Sequence, residues 1–305
     1  MFRDYRTLGK SSLLLRDYIL STAAKFNEAD LSYGHGTSSP LDEAVYLIFS
    51  TLGIDFDLDF ELSDRVLLIG ELERLDARIE QRLSDRKPVA YIVGEAWFCG
   101  HAFQVDERVL IPRSPIAELI SNRFQPILEF PPETILDLCC GSGCLGIACA
   151  LEFSEARVDL SDVSADCLEI AAENIRRHDL LGRTQCVKSD LFASLTGTKY
   201  DLIVSNPPYV SLAEIQTLPA EYQHEPKLAL LSEEDGLGIP LEILSRAGSY
   251  LNPGGLLILE VGLGAEALCQ RVPEVPFLWM EFAGGGDGVL AISAGELLRY
   301  REYFI

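Results

Sequence analysis

Apolar and polar positions change their rhythm twice along the chain. Up to residue 94 the rhythm is helical. Leu8 to Ala24 is rich in Leu with polar residues between. Ser39-Pro40 supplies an N-cap and a first-turn proline for a second helix over Pro40 to Leu52. Ser63 can cap a third, about Asp64 to Leu83, in which Val66, Leu67, Leu72, Leu75 and Ile79 recur at helical spacing. Ala96 to Val105 then reads as two short strands around a glycine turn, with His101 as an exposed turn residue.

From Glu133 onward, strand and helix signals alternate. Strands are expected at Thr134–Leu138, Arg157–Leu160, Gln185–Ser189, Leu202–Ser205, Leu256–Val261, near Phe277–Phe282 and at Gly288–Ile292. Helices are expected at Cys144–Phe153, Ala165–Arg177 and Pro240–Tyr250. Such alternation predicts an α/β fold: a doubly wound, mostly parallel seven-stranded sheet behind a small helical domain and a hairpin linker. Ligands of such sheets bind at the carboxyl ends of the strands, where the motifs below fall.

Length and composition narrow the picture. At 305 residues the chain is long enough for two domains. Its longest uncharged apolar stretch, Leu138 to Leu151, falls short of the roughly 18 residues a membrane helix needs. There are 47 Asp+Glu against 25 Lys+Arg, a net charge of −22. Residues 1–94 carry 16 acids and 11 bases and residues 95–305 carry 31 and 14, so the excess lies in the second part. Such a surface repels nucleic-acid phosphate and attracts basic partners. None of the eight cysteines has zinc-site C-x-x-C spacing, so no metal is expected. Free thiols and no readable signal peptide point to the cytoplasm.

After the first α/β strand come Asp137-Leu138-Cys139-Cys140-Gly141-Ser142-Gly143-Cys144-Leu145-Gly146, and Asp162 follows 19 residues after Gly143. The pattern fits a dinucleotide fingerprint and equally the nucleoside loop of S-adenosylmethionine enzymes, glycine being needed where a ligand nears the backbone. Asp137 favours the second, since a carboxylate there repels a pyrophosphate but can meet the ammonium end of a methionine moiety, directly or through water. Asp190 is placed to accept the adenine amino group and Phe192 to pack on the ring. Capping and core roles are the alternatives for these two.

The fourth strand runs into Ser205-Asn206-Pro207-Pro208-Tyr209. Two prolines stop the strand and free carbonyls from the ladder. The Asn206 side-chain oxygen and the Pro207 carbonyl can then each accept a hydrogen bond from one planar NH2, and Tyr209 can stack on it. This suits an amide or aromatic amine, a poor nucleophile that must be oriented as it attacks.

These residues resemble the protein glutamine methyltransferases. The likeness takes in Pro88–Ile92, Trp97 to Arg113, the glycine loop, Ser189–Phe192 and the Asn-Pro-Pro-Tyr turn. It extends to Glu225-Pro226, Asp235-Gly236-Leu237, Glu260-Val261-Gly262 and Gly285-Gly286-Asp287-Gly288. Ile111-Pro112-Arg113 followed by Ser114-Pro115-Ile116 looks like the branch acting on large-subunit ribosomal protein L-three. A release-factor enzyme is the sibling reading, and a nucleic-acid adenine methyltransferase or a non-enzymatic assembly factor stand further off. One departure is Cys139, where many relatives have the first loop glycine.

The resemblance implies residues 1–94 as a substrate-recognition domain, 95–113 as a hairpin linker and 114–305 as a methyltransferase domain. It implies S-adenosylmethionine held by Asp137, Gly141, Gly143, Asp162, Asp190, Phe192, Asn206 and Arg113, without a metal. Asn206, Pro207 and Tyr209 would be catalytic, and with Pro208 and Glu225 would meet a glutamine of a basic ribosomal protein. Neither a membrane nor direct nucleic-acid contact is implied.

Overall fold

The structure, a computed structural model, describes residues 13–56 and 64–305. The chain divides into two compact units, Met1–Gly94 and Glu95–Ile305.

The described part of the first unit holds α1 (Leu15–Glu28), α2 (Pro40–Leu52), α3 (Ile69–Ser84) and the short α4 (Val89–Val93). Phe26, Leu47, Ile48 and Leu75 form its core. Ser39 caps α2 as expected, its hydroxyl accepting from the Asp42 amide at 3.2 Å. Leu8–Ser12 and the proposed cap Ser63 lie outside the described residues. The third helix starts later than its spacing suggests. Val66 bridges Leu14 antiparallel and the Leu67 amide donates to the Leu13 carbonyl, so this stretch is extended. The helix is instead opened by Glu71, whose carboxylate accepts from the Leu68 amide at 2.9 Å.

The second unit opens with β1 (Glu95–Phe98) and β2 (His101–Gln104), an antiparallel hairpin. Its two-residue turn has positive φ at both Cys99 (+49°) and Gly100 (+76°), the primed geometry that matches strand twist. His101 is therefore a strand residue paired with Phe98, its ring edge-on to His178, and not a turn residue. Then follow α5 (Ile116–Ser121), β3 (Thr134–Leu138), α6 (Cys144–Glu152), β4 (Arg157–Asp162), α7 (Ala165–Arg177), β5 (Thr184–Lys188) and β6 (Tyr200–Ser205). After β6 come α8 (Leu212–Ile215), α9 (Gly238–Ala247), β7 (Leu251–Glu260), α10 (Ala265–Arg271), β8 (Leu278–Trp279), β9 (Val289–Ser293) and α11 (Ala294–Arg299).

Among the described residues the main sheet has seven strands in the order β5-β4-β3-β6-β7-β9-β8. The pairs from β5 to β7 are parallel and those of β9 antiparallel, as expected of a mostly parallel sheet. Both faces of the central strands are covered, so β3, β6 and β7 are largely apolar and their side chains alternate between two cores. Ile135, Leu202, Val204 and Ile258 join Ile147 and Ala148 of α6. Leu136, Leu138, Ile203, Leu257 and Leu259 join Leu241 and Leu244 of α9 and Leu297 of α11. The chain steps outward from β3 to β4 to β5, then returns beside β3 with β6. That reversal parts the loops after β3 and β6 and opens a crevice at the strand ends.

Candidate active site

A cavity of about 600 Å³ opens at this reversal. Four strand ends contribute to its wall: Cys139 to Ser142 after β3, Asp162 to Ser164 after β4, Ser189 to Leu191 after β5, and Asn206 and Pro208 after β6. Arg113 and Ser114, and Pro226 to Ala229 without Lys227, line it from longer connections.

The glycine loop is built by local needs. Gly141 (φ +53°) lines the cavity with open space where a Cβ would stand. Gly143 and Gly146 have a different reason from ligand approach. A Cβ on Gly143 would lie 2.9 Å from Leu160, and one on Gly146 would collide with Leu160 and come 2.8 Å from the Asp137 Cβ. They let α6 press onto β3 and β4, and Gly143 is not part of the cavity wall. Cys139 sits at φ +62°, which explains why glycine is favoured there and places this cysteine in a costly conformation. Burial raises the thiols of Cys139, Cys140, Cys144 and Cys167, so the cysteines of the wall stay neutral.

The acidic residues separate in character. Asp162 lines the cavity while its two oxygens accept from the Gly141 amide (3.0 Å) and the Ser164 amide (2.8 Å). Burial raises its pKa, and those two amides temper the rise. Asp190 is exposed on the wall, and among the described residues its side chain makes no hydrogen bond. No helix follows before β6, so Asp190 caps none, and within the turn the Ser189 hydroxyl accepts from the Ser194 amide at 2.9 Å. Asp137 is fully buried behind the loop and is not part of the wall. One oxygen accepts from the Gly146 amide at 2.8 Å, and the other has no partner.

Phe192 does not face the cavity. It is fully buried and stacked on Tyr250, centroids 4.5 Å apart, while Leu191 (φ +44°) turns to the wall. Burying the larger ring in the core gains more, so the apolar wall contact comes one residue earlier. Arg113 lines the cavity, but its fork is engaged. Its two terminal nitrogens donate to the two oxygens of the buried Glu225 at 2.5 and 2.6 Å. Burial alone would lower the Arg113 pKa; the bonds and charge of Glu225 outweigh it and raise the value. Glu225, the residue that ends the short 3-10 turn Ala220–His224, also accepts from the Ile111 amide at 3.1 Å and does not line the cavity.

At the turn, the β6–β7 ladder ends at Ser205 opposite Leu259, and the Ser205 hydroxyl ties to the Leu138 carbonyl at 2.6 Å. Asn206 and Pro208 face the cavity, whereas Pro207 is buried. The Asn206 side chain makes no hydrogen bond among the described residues and is free to bind. Tyr209 lies off the wall, its hydroxyl donating to Glu260 at 2.7 Å. Ser114 and Glu260 fall in stretches shared with the resembled family, but no role attaches to them in the sequence because their contacts depend on tertiary approach.

This donor set fits S-adenosylmethionine. It has a partnerless buried carboxylate oxygen suited to a cation, a carboxylate at the β4 end suited to ribose hydroxyls, and a free carboxylate at the β5 end suited to an exocyclic amine. Asp137 also predicts a pH effect. Burial, ahead of the Gly146 bond and the nearby Asp162 charge, pushes its pKa up to about 7. The folded state then holds the proton over a range in which the unfolded chain has lost it. Stability from this group is complete at acid pH and is lost as pH rises toward 7. In urea titrations of the ligand-free protein, wild type should lose roughly 2 kcal/mol relative to Asp137→Asn between pH 5 and 7. A difference that stays flat with pH would contradict a neutral Asp137 at low pH.

Residues 118–221 match the family model described as Methyltransferase small domain. A protein of Francisella tularensis subsp. tularensis named ribosomal protein uL3 glutamine methyltransferase is 45% identical over 95% of this chain and 93% of its own length. One of Neisseria gonorrhoeae with the same name is 44% identical over 93% and 95%. Among solved structures, a methyltransferase from Pyrococcus furiosus aligns with 74% of this chain and 99% of its own at 16% identity, with a TM-score of 0.46.

Proposed function

The chain belongs to the ribosomal protein uL3 glutamine methyltransferases, and from that premise we propose how its own residues carry the transfer of a methyl group from S-adenosylmethionine to a glutamine side-chain amide of uL3. One observation carries the proposal: Asn206 opens, with its side chain unengaged, onto the same cavity as Gly141, Asp162 and Asp190.

The chemistry supplied there by bound S-adenosylmethionine is an electrophilic methyl on a positive sulfonium. Asp162 would accept from the ribose hydroxyls, Asp190 from the adenine amine, and Leu191 would supply the apolar contact. Asp137 would offer its unpaired oxygen to the ammonium end, directly or through water. Asn206 and the Pro207 carbonyl accept from the two N–H bonds of the glutamine amide. They turn the nitrogen lone pair out of conjugation and stabilise the positive charge that grows on nitrogen in the transition state. As the N–C bond forms the S–CH3 bond breaks, leaving neutral S-adenosylhomocysteine; no strong base is required beforehand, because the nitrogen, once cationic, readily releases its proton to solvent.

Recognition of the protein substrate is proposed for residues 1–94, with 95–113 as linker. The acidic balance of residues 95–305 supports attraction to a basic ribosomal protein and opposes nucleic-acid binding. The cytoplasm is the proposed site of action, supported by eight free cysteines. No helix among the described residues is long and apolar enough to cross a membrane.

Purified enzyme with methyl-tritiated cofactor should label uL3 and leave release factors unlabelled. The labelling rate at low substrate should fall as ionic strength rises. Labelling confined to release factors would refute the substrate assignment.

A further inference from the structure

Three motifs of the chain have no task in the reaction so far: Asp235-Gly236-Leu237, Glu260-Val261-Gly262 and Gly286-Asp287-Gly288. The fold gathers all three around one stretch of the site. Gly236 (φ +92°) lies so close to the Tyr209 carbonyl oxygen that any Cβ would collide with it. Gly262 (φ +51°) lies under the Tyr209 ring, where a Cβ would stand 2.5 Å from the ring edge. Gly288 packs onto the Gly262 backbone, with the Val261 amide donating to its carbonyl at 2.7 Å. Gly286 (φ +105°) packs on Pro115, next to Ser114.

Glu260 completes the arrangement. It is the last residue of β7, beside the β6 end that carries the turn, and is 5% exposed. One carboxylate oxygen accepts from the Tyr209 hydroxyl at 2.7 Å and the other from the Ser114 hydroxyl at 2.5 Å. Among the described residues no cation lies within ion-pairing distance, and the nearby Arg113 fork is taken by Glu225. A buried carboxylate served by two neutral hydroxyls is costly, and a neutral residue could join the same elements more cheaply. What the carboxylate adds is a strong, directional acceptor for the Tyr209 hydroxyl.

The turn is thereby fixed at both ends. Upstream, Ser205 is tied to Leu138. Downstream, Tyr209 packs closely on Gly236 and Gly262 and is bonded at its hydroxyl. Between these ends lie Asn206 and Pro207, whose acceptors must point along two N–H bonds of one amide.

We propose that Glu260 is a positioning residue for the methyl transfer: by accepting from Tyr209 in a seat made by Gly236 and Gly262, it sets the direction of the Asn206 and Pro207 acceptors. This rests on the reading that those two acceptors hold the glutamine amide. Ser114 orients the carboxylate from the other side.

The test is steady-state kinetics on uL3 with Glu260→Ala, Glu260→Gln, Tyr209→Phe and the double variant Tyr209→Phe/Glu260→Ala, with circular dichroism to establish folding. Glu260→Ala should lower kcat about 100-fold, the scale of a misplaced reacting group, with the cofactor KM changed less than about threefold. Glu260→Gln, whose amide oxygen still accepts from Tyr209, should recover most of that loss. The double variant should be no worse than the worse single one, because both break the same link. If Glu260→Ala does not fold, Tyr209→Phe alone decides: a fall in kcat on that scale with the cofactor KM little changed supports the link, and turnover within twofold of wild type overturns it. Turnover within twofold of wild type, or multiplying losses in the double variant, would overturn the proposal alone. A wild-type enzyme inactive on uL3 would overturn the functional reading and this proposal with it.

Discussion

Replacing Asn206 with alanine is expected to lower kcat on uL3 by about 10³-fold, the scale seen when one preorganised transition-state contact is removed. The cofactor dissociation constant should stay within about threefold. An amide nitrogen is a poor nucleophile because its lone pair is shared with the carbonyl. Two acceptors fixed in space draw on its hydrogens, and their attraction grows as the nitrogen becomes positive. Asn206 is proposed as one of them, placed by the end of the β6 ladder and unengaged by other described side chains. Asp162 and Asp190, which would hold the nucleoside, come from other strands and are untouched by the change. Titration calorimetry with S-adenosylmethionine and single-turnover labelling separate the two effects. Near-normal turnover would remove Asn206 from the mechanism.

Glu225→Ala should destabilise the protein by about 3–5 kcal/mol, the cost of stranding one member of a buried ion pair. Both oxygens of Glu225 receive the Arg113 fork, and one also receives the Ile111 amide. Its removal leaves a guanidinium beside the cavity and an unsatisfied buried amide. The pair joins residues 112 apart in sequence, the end of the segment before α5 to the loop after α8 that carries Pro226 and Leu228 to the cavity. Activity should fall more steeply with temperature than in wild type. Arg113→Met, which removes the charge and keeps the bulk, should not rescue Glu225→Ala at the Ile111 amide but should recover part of the loss. Chemical denaturation of the two single variants and the double variant measures this. A loss below about 1 kcal/mol for Glu225→Ala would mean the pair is no anchor.

Much of this was legible in the sequence because strands of a doubly wound sheet and their loops are local signals. The apolar runs ending at Leu138 and Ser205, the Ser39 cap and the Asn-Pro-Pro-Tyr turn carry their structure in neighbouring residues. What escaped depends on distant partners. Val66 and Leu67 fit a helical spacing, yet Leu13 and Leu14 pair with this stretch and draw it extended. Phe192 and Leu191 are equally apolar neighbours, both counted in the core, and only the tertiary packing of Phe192 on Tyr250 leaves Leu191 as the one that reaches the cavity wall. Arg113 suggests a ligand contact until Glu225, far along the chain, occupies its fork. Gly143 and Gly146 look like ligand glycines, whereas Leu160 and Asp137 are what a side chain would meet. The seat of Tyr209 draws on residues 114, 236, 260 and 262, which no window of sequence brings together.

The most direct test is tandem mass spectrometry of uL3 from cells with the gene, without it, and with the Asn206→Ala form restored in its place. One extra methyl on a single glutamine side chain is expected when the wild-type protein is present, and an unmodified glutamine in the other two. An identical uL3 mass in all three, or a methyl that persists with Asn206→Ala, would contradict it.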